Sequence, residues 1–151
     1  MDEQDQIIFD NIEKYGCHII HVLAVDNLPN FSYSIGLFET YQKPEIIIIG
    51  LKQNIQQVLL NNIAYDYKEG RVLESGKMHG DILDDYECLL LDVEKKHYDE
   101  YVGQAIDYYK EKKFPLIQII WPTPSNMYPF DKDAPDGFKK WQPVLGKYKK
   151  N

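Results

Sequence analysis

The stretch from Asn30 to Leu51, NFSYSIGLFETYQKPEIIIIGL, decides the fold. Phe31, Tyr33, Ile35 and Leu37 alternate with Ser32, Ser34 and Gly36, which predicts a strand with one large apolar face and one small polar face. After a charged connector, Ile46 to Ile49 form an unbroken β-branched run. Such a run suits a strand covered on both faces, so it belongs in the interior of a sheet.

Working outward, Asp2 to Lys14 carries apolar residues near helical spacing, and Gly16 ends that helix. The run Cys17 to Val25 has strand composition, and a turn containing Pro29 folds it into a hairpin with residues 31–37. On the other side, a helix is expected from about Asn54, its cap, to Lys68, with Ile55, Val58, Leu59, Asn62 and Ile63 as the buried stripe. Residues 70–80 read as a loop or an edge strand. Tyr86 to Val93 reads as a strand, Lys96 to Lys112 as a helix, and Leu116 to Trp121 as the last strand. Five prolines between Pro122 and Pro143 then predict an irregular segment, about 122–151, that lies across the surface and is anchored by Tyr128, Phe130, Phe138 and Trp141. Strands and helices alternate only in part. The class expected is therefore α+β: a single domain over residues 1–151, with a mostly antiparallel sheet, two or three packed helices and a Pro-rich C-terminal tail.

A chain of 151 residues is long enough for one core without disulfide staples. Its net charge of −7 argues against nucleic acid as a partner, because counterion release needs a basic face. The cationic cluster Lys147, Lys149 and Lys150, with Lys139 and Lys140 nearby, reads as a solvated tail. The amino terminus is acidic and no run reaches membrane-spanning length, so neither an export signal nor membrane contact is expected and the cytoplasm is the default location. Two cysteines, Cys17 and Cys88, then read as reduced and buried.

Tyr15 and Gly16, FSYSIGL from Phe31 to Leu37, PEIIIIGL from Pro44 to Leu51, QIIWP from Gln118 to Pro122, Pro129 with Phe130, and Gln142 with Pro143 form a series that spans most of the chain in order. In these segments the chain resembles the bacterial family catalogued as domain of unknown function 4262. The family more often has an acid after its Trp and Pro, where this chain has Thr123. The resemblance implies one compact domain and names no activity.

No residue set spells a reaction. Cys17, His18 and His21 are the nearest approach to a metal cluster, but on a strand His18 faces away from the other two, so no metal is expected. Ser32 or Ser34 beside a histidine would be the nearest approach to a nucleophile, without the strained elbow that exposes one. No cofactor is implied. Asp81, Asp84, Asp85 and Glu87 form the densest acidic region, and Tyr128 and Trp141 are aromatic groups on a segment that must run over the surface. Those six residues are the expected contact surface for a basic protein partner, and an immunity protein that neutralises a toxin is one role with that chemistry. The chain is accordingly read as non-catalytic. The alternative is a small-molecule domain or enzyme with a pocket beside Ser32, Ser34, Gly36 and Trp121, whose small face could admit a flat ligand such as a flavin, by fold-level analogy.

Overall fold

The computed structural model describes residues 2–148; Lys149 and Lys150 of the cationic tail lie outside them. A six-stranded sheet runs through the molecule. Its strands are β1 (His18–Val22), β2 (Phe31–Ile35), β3 (Glu45–Ile49), β4 (Met78–Leu83), β5 (Tyr86–Asp92) and β6 (Leu116–Ile120), in the order β1-β2-β3-β6-β5-β4. Only β3 and β6 pair in parallel, and the other four neighbouring pairs are antiparallel. The expected α+β class and the mostly antiparallel sheet are therefore present. The hairpin also forms, pairing His18 with Ile35 and Val22 with Phe31, and the isoleucines of β3 are fully buried in the sheet interior.

The alternation in β2 sorts the two faces. Tyr33 and Ile35 join Ile47, Ile49 and Leu116 beneath α1 (Glu3–Tyr15) and the α4 (Tyr98–Tyr101) and α5 (Gly103–Tyr109) segments. On the opposite face, Ile46, Ile48, Cys88, Leu90, Ile117 and Ile119 pack against α3 (Gln53–Lys68). Leu89, Leu91 and Ile120 form a third cluster, covered by Tyr128, Phe130 and Val144 of the segment after β6.

Four local expectations need correction. The helix α3 begins at Gln53, so Asn54 lies inside it and Lys52 stands at the cap without a side-chain bond. Its buried positions are Gln56, Leu59, Leu60, Ile63 and Tyr67, whereas Val58 is 55% exposed. The stripe is rotated because Gln56, a polar residue, is turned inward to bond Ser32. The single helix expected over 96–112 is broken into a 3-10 turn, α4 and α5, with Val102 at φ −121° and ψ 43° between the last two.

The strand expected to run to Leu37 stops at Ile35, because the chain turns there around a buried carboxylate. Gly36 takes φ +110°, and a short helix α2 (Leu37–Tyr41) follows. A side chain at Gly36 would be strained, and its Cβ would lie 2.8 Å from Ile12 Cγ1. Glu45, at the start of β3 and without solvent exposure, points its carboxylate at this turn. It accepts hydrogen bonds from the Ser34 hydroxyl at 2.7 Å and from the backbone N–H groups of Gly36 at 2.8 Å, Leu37 at 3.2 Å and Phe38 at 3.2 Å. The Tyr109 hydroxyl of α5 supplies a fifth donor. Ile46 N–H donates to Ser34 Oγ and Glu39 N–H to Tyr109 OH, which leaves both hydroxyl protons aimed at Glu45. Burial pushes this carboxyl up from its ordinary range, and the bonds from Tyr109, Ser34, Phe38 and Gly36 pull against that shift.

Every neighbour of Glu45 donates, so an amide in its place would set its own N–H groups against them. Glu45→Gln is expected to lower stability by about 3 kcal/mol, and Tyr109→Phe by about 2 kcal/mol because it also strands the Glu39 N–H. Thermal melts read both losses, at roughly 2–4 °C per kcal/mol for a chain of this size. An unchanged melting temperature for Glu45→Gln would contradict the assigned donor set.

Candidate functional site

The small face of β2 is occupied by polar side chains of its neighbours. Register places His21 opposite Ser32, and His21 Nδ1 lies 2.6 Å from Ser32 Oγ. Gln56 Nε2 donates to the same Ser32 oxygen at 2.7 Å, so the serine proton goes to His21 Nδ1. His21 Nε2 then carries its proton toward Gln57 Oε1 at 2.7 Å, and Gln57 passes the chain on to Asn61 at 3.2 Å. At the other end, Leu51 N–H donates to Gln56 Oε1 at 3.1 Å. The serine–histidine pair has the partners a nucleophile would need, but Ser32 has no solvent exposure and its oxygen is bonded on both sides. The chain ties β1, β2 and α3 together.

The other residues of the ligand-pocket expectation are similarly committed. Ser34 is 1% exposed and bridges Ile46 N–H to Glu45. Ile12 fills the space over Gly36. Trp121 donates its indole N–H to Ile49 O at 2.8 Å, while its backbone N–H and C=O are both held by the buried Gln142 side chain at 2.9 Å. These positions hold the sheet and the C-terminal segment in place.

Of the acidic residues expected to meet a partner, Asp85 and Glu87 share a groove with Tyr128. Asp84 and Asp85 form the two-residue tip between β4 and β5, with Asp85 at φ +69°, and Asp81 and Glu87 stand on the flanking strands. All four are exposed. Tyr128 joins them from the segment after β6: its hydroxyl donates to Glu87 O at 2.6 Å and its ring stacks on Phe130 at 5.6 Å. Asp85, Glu87, Tyr128 and Asn126 line an open groove of about 460 Å³ at that tip. Trp141 is not among its walls. It sits over Gly50, donating its indole N–H to Gly50 O at 2.8 Å, and remains 44% exposed. Only the tertiary path of residues 122–128 brings Tyr128 beside Glu87 and Asp85.

Both cysteines are free thiols. Burial pushes Cys17 up to about 11 and Cys88 up to about 12, so neither is a thiolate at neutral pH. Among the described residues, no three His, Cys, Asp or Glu side chains gather as metal ligands, and no helix is long and apolar enough to cross a membrane.

Residues 11–135 match the family described as Domain of unknown function (DUF4262). The chain belongs to the DUF4262 family. Neither a search of curated proteins nor one of solved structures returned a match. In this DUF4262 domain the segments FSYSIGL, PEIIIIGL and QIIWP, with Gln142, furnish Ser32, Ser34, Gly36, Glu45, Trp121 and Gln118, the parts of its buried polar framework.

His18 lies at the edge of this framework, with Nδ1 2.8 Å from Asn11 Nδ2. The amide donates, so the neutral ring fits. Burial, followed by the nearby His21, lowers the His18 pKa below its ordinary value. Between that lowered value and about 6.5 the unfolded chain binds the extra proton, so stability falls as pH drops through this window and is complete above it. Melting temperatures measured from pH 7.5 to pH 5 should show a shallower decline in His18→Gln than in the parent protein; parallel curves would remove His18 as a contributor.

Proposed function

We propose that this domain is a non-catalytic protein-binding module that engages a basic partner through the acidic β4–β5 tip and Tyr128. The observation that carries the reading is the meeting of Asp85 and Glu87 with the ring of Tyr128 around one groove, with the exposed Asp81 and Asp84 on the same hairpin. The carboxylates at 81, 84, 85 and 87 take part in neither ion pair found among the described residues, which join Arg71 to Asp66 and Lys77 to Glu74. Their field is available to a partner, and focused negative potential speeds encounter with a cationic surface. Tyr128, half-buried and fixed by Glu87 and Phe130, is a rigid anchor of the type that carries interface energy. Neutralisation of a basic toxin by an immunity protein is the role that such a surface suits. The non-catalytic part of the reading is supported by the commitment of Ser32 and Ser34 to buried bonds and by the protonated state of both thiols.

The test is affinity capture from the native host, followed by binding kinetics with the captured partner at two salt concentrations. Asp81→Lys with Asp84→Lys should slow association by about tenfold at low salt and flatten its salt dependence. Asp85 is left intact because its left-handed backbone suits Asp better than Lys. Tyr128→Ala should speed dissociation by about tenfold, with a melting curve verifying the fold. Failure to recover a partner, or equal association rates for parent and charge-reversed proteins, would overturn the reading.

A further inference from the structure

The two edges of the sheet differ in a way that bears on recognition. At one edge, the register of β4 shifts between His79 and Leu83, and Asp81 stands in the strand. Irregular register and inward or edge charges are the devices that keep sheet edges from pairing with other chains. At the other edge, β1 (HIIHV) pairs with β2 in unbroken register and has no proline, lysine or bulge. Its outward backbone groups can be identified. Gly50 N–H bonds Asn30 O, so even-numbered residues of β2 turn their backbone groups toward β3 and odd-numbered ones toward β1. Phe31, Tyr33 and Ile35 therefore exchange bonds with Val22, Ile20 and His18, while the N–H and C=O groups of Ile19 and His21 face outward from the sheet.

Two grooves flank this edge, and both share His18 and Ile19 as a wall. The one toward α3, about 430 Å³, is bordered by Asn11, Tyr15, Gln57, Asn61, Tyr65 and Lys68. Amide and tyrosine groups dominate it, and Lys68 is its cation. The one toward α1, about 380 Å³, is bordered by Ile7, Ile8 and Ile20, with Gln4 and Gln104 at its rim. Ile7 is 52% exposed there. A strand laid along β1 would send successive side chains alternately into these two grooves, since side chains on a strand alternate between faces.

We propose that β1 is a β-augmentation site for an extended segment of a partner protein, in which apolar residues facing α1 alternate with polar or acidic residues facing α3 and Lys68. Backbone bonds to Ile19 and His21 supply the affinity and the two grooves supply the sequence preference. Residues of α1 and α3 border grooves on the two sides of the edge, and Lys68 in the α3 groove complements an acidic side chain, which favours a single extended acidic and apolar segment over a second copy of the domain. The site is separate from the acidic tip, which lies at the far edge of the sheet.

Selection from a display library of random twelve-residue peptides against the intact protein tests this, with amide hydrogen exchange on the complexes. Enriched peptides should alternate apolar with polar or acidic residues and should slow exchange at the Ile19 and His21 amides by at least about tenfold. Ile7→Glu, an exposed position that leaves the core intact, should weaken the selected peptides by about tenfold, a rise in Kd of one decade. Repeating the selection on Lys68→Glu should replace the acidic residues by basic ones. The proposal is overturned if no peptide is enriched, if the enriched peptides leave the Ile19 and His21 amides unchanged, or if those amides are already protected without peptide in a concentration-dependent way, which would place a second copy on the edge.

Discussion

A single carboxylate, that of Glu45, organises the centre of this domain. It receives five hydrogen bonds from four different places: β2, the turn at Gly36 and the start of α2, and α5. An ionised group taken out of water is tolerated only when donors of this number replace its hydration, so the turn, the short helix and Tyr109 must be in position together. The bend at Gly36 and the end of β2 are consequences of that requirement. So is the packing of Ile12 over Gly36, because only a residue without a side chain can stand there.

A second constraint of the same kind holds the carboxy-terminal segment. That segment forms no strand, yet its backbone must be satisfied where it is buried against the sheet. Gln118, in the middle of β6, donates to Pro143 O at 2.7 Å and accepts from Leu145 N–H at 2.8 Å. Gln142 returns the favour to both backbone groups of Trp121. Two glutamine amides thus stand in for a ladder, and the segment is carried past β5, where Tyr128 comes to rest beside the acidic tip.

The buried framework and the exposed surface divide the sequence between them. The segments that carry the family resemblance supply side chains that are almost all inside, bonded to one another and to backbone. The features open to a partner, namely the carboxylates at 81–87, the ring of Tyr128 and the outer edge of β1, are set by local charge and by topology.

Local pattern by itself determined a good deal: the alternation of 31–35, the continuous isoleucines of β3, the β5 and β6 strands, the α1 helix with its Gly16 cap, and hence the α+β class. These are properties of period and residue shape, which act over a few neighbours. Tertiary structure decided what depends on partners far along the chain. Nothing near Gln56 announces that it turns inward, since its partner Ser32 is 24 residues away, and the Glu45 bond to Tyr109 spans 64 residues. The same applies to the meeting of Tyr128 with Glu87, 41 residues apart, and to the opposite treatment of the two sheet edges. Hydrogen bonds between distant side chains leave no periodic trace in a sequence, because they require only that each residue type be present and that the fold bring the pair within about 3 Å.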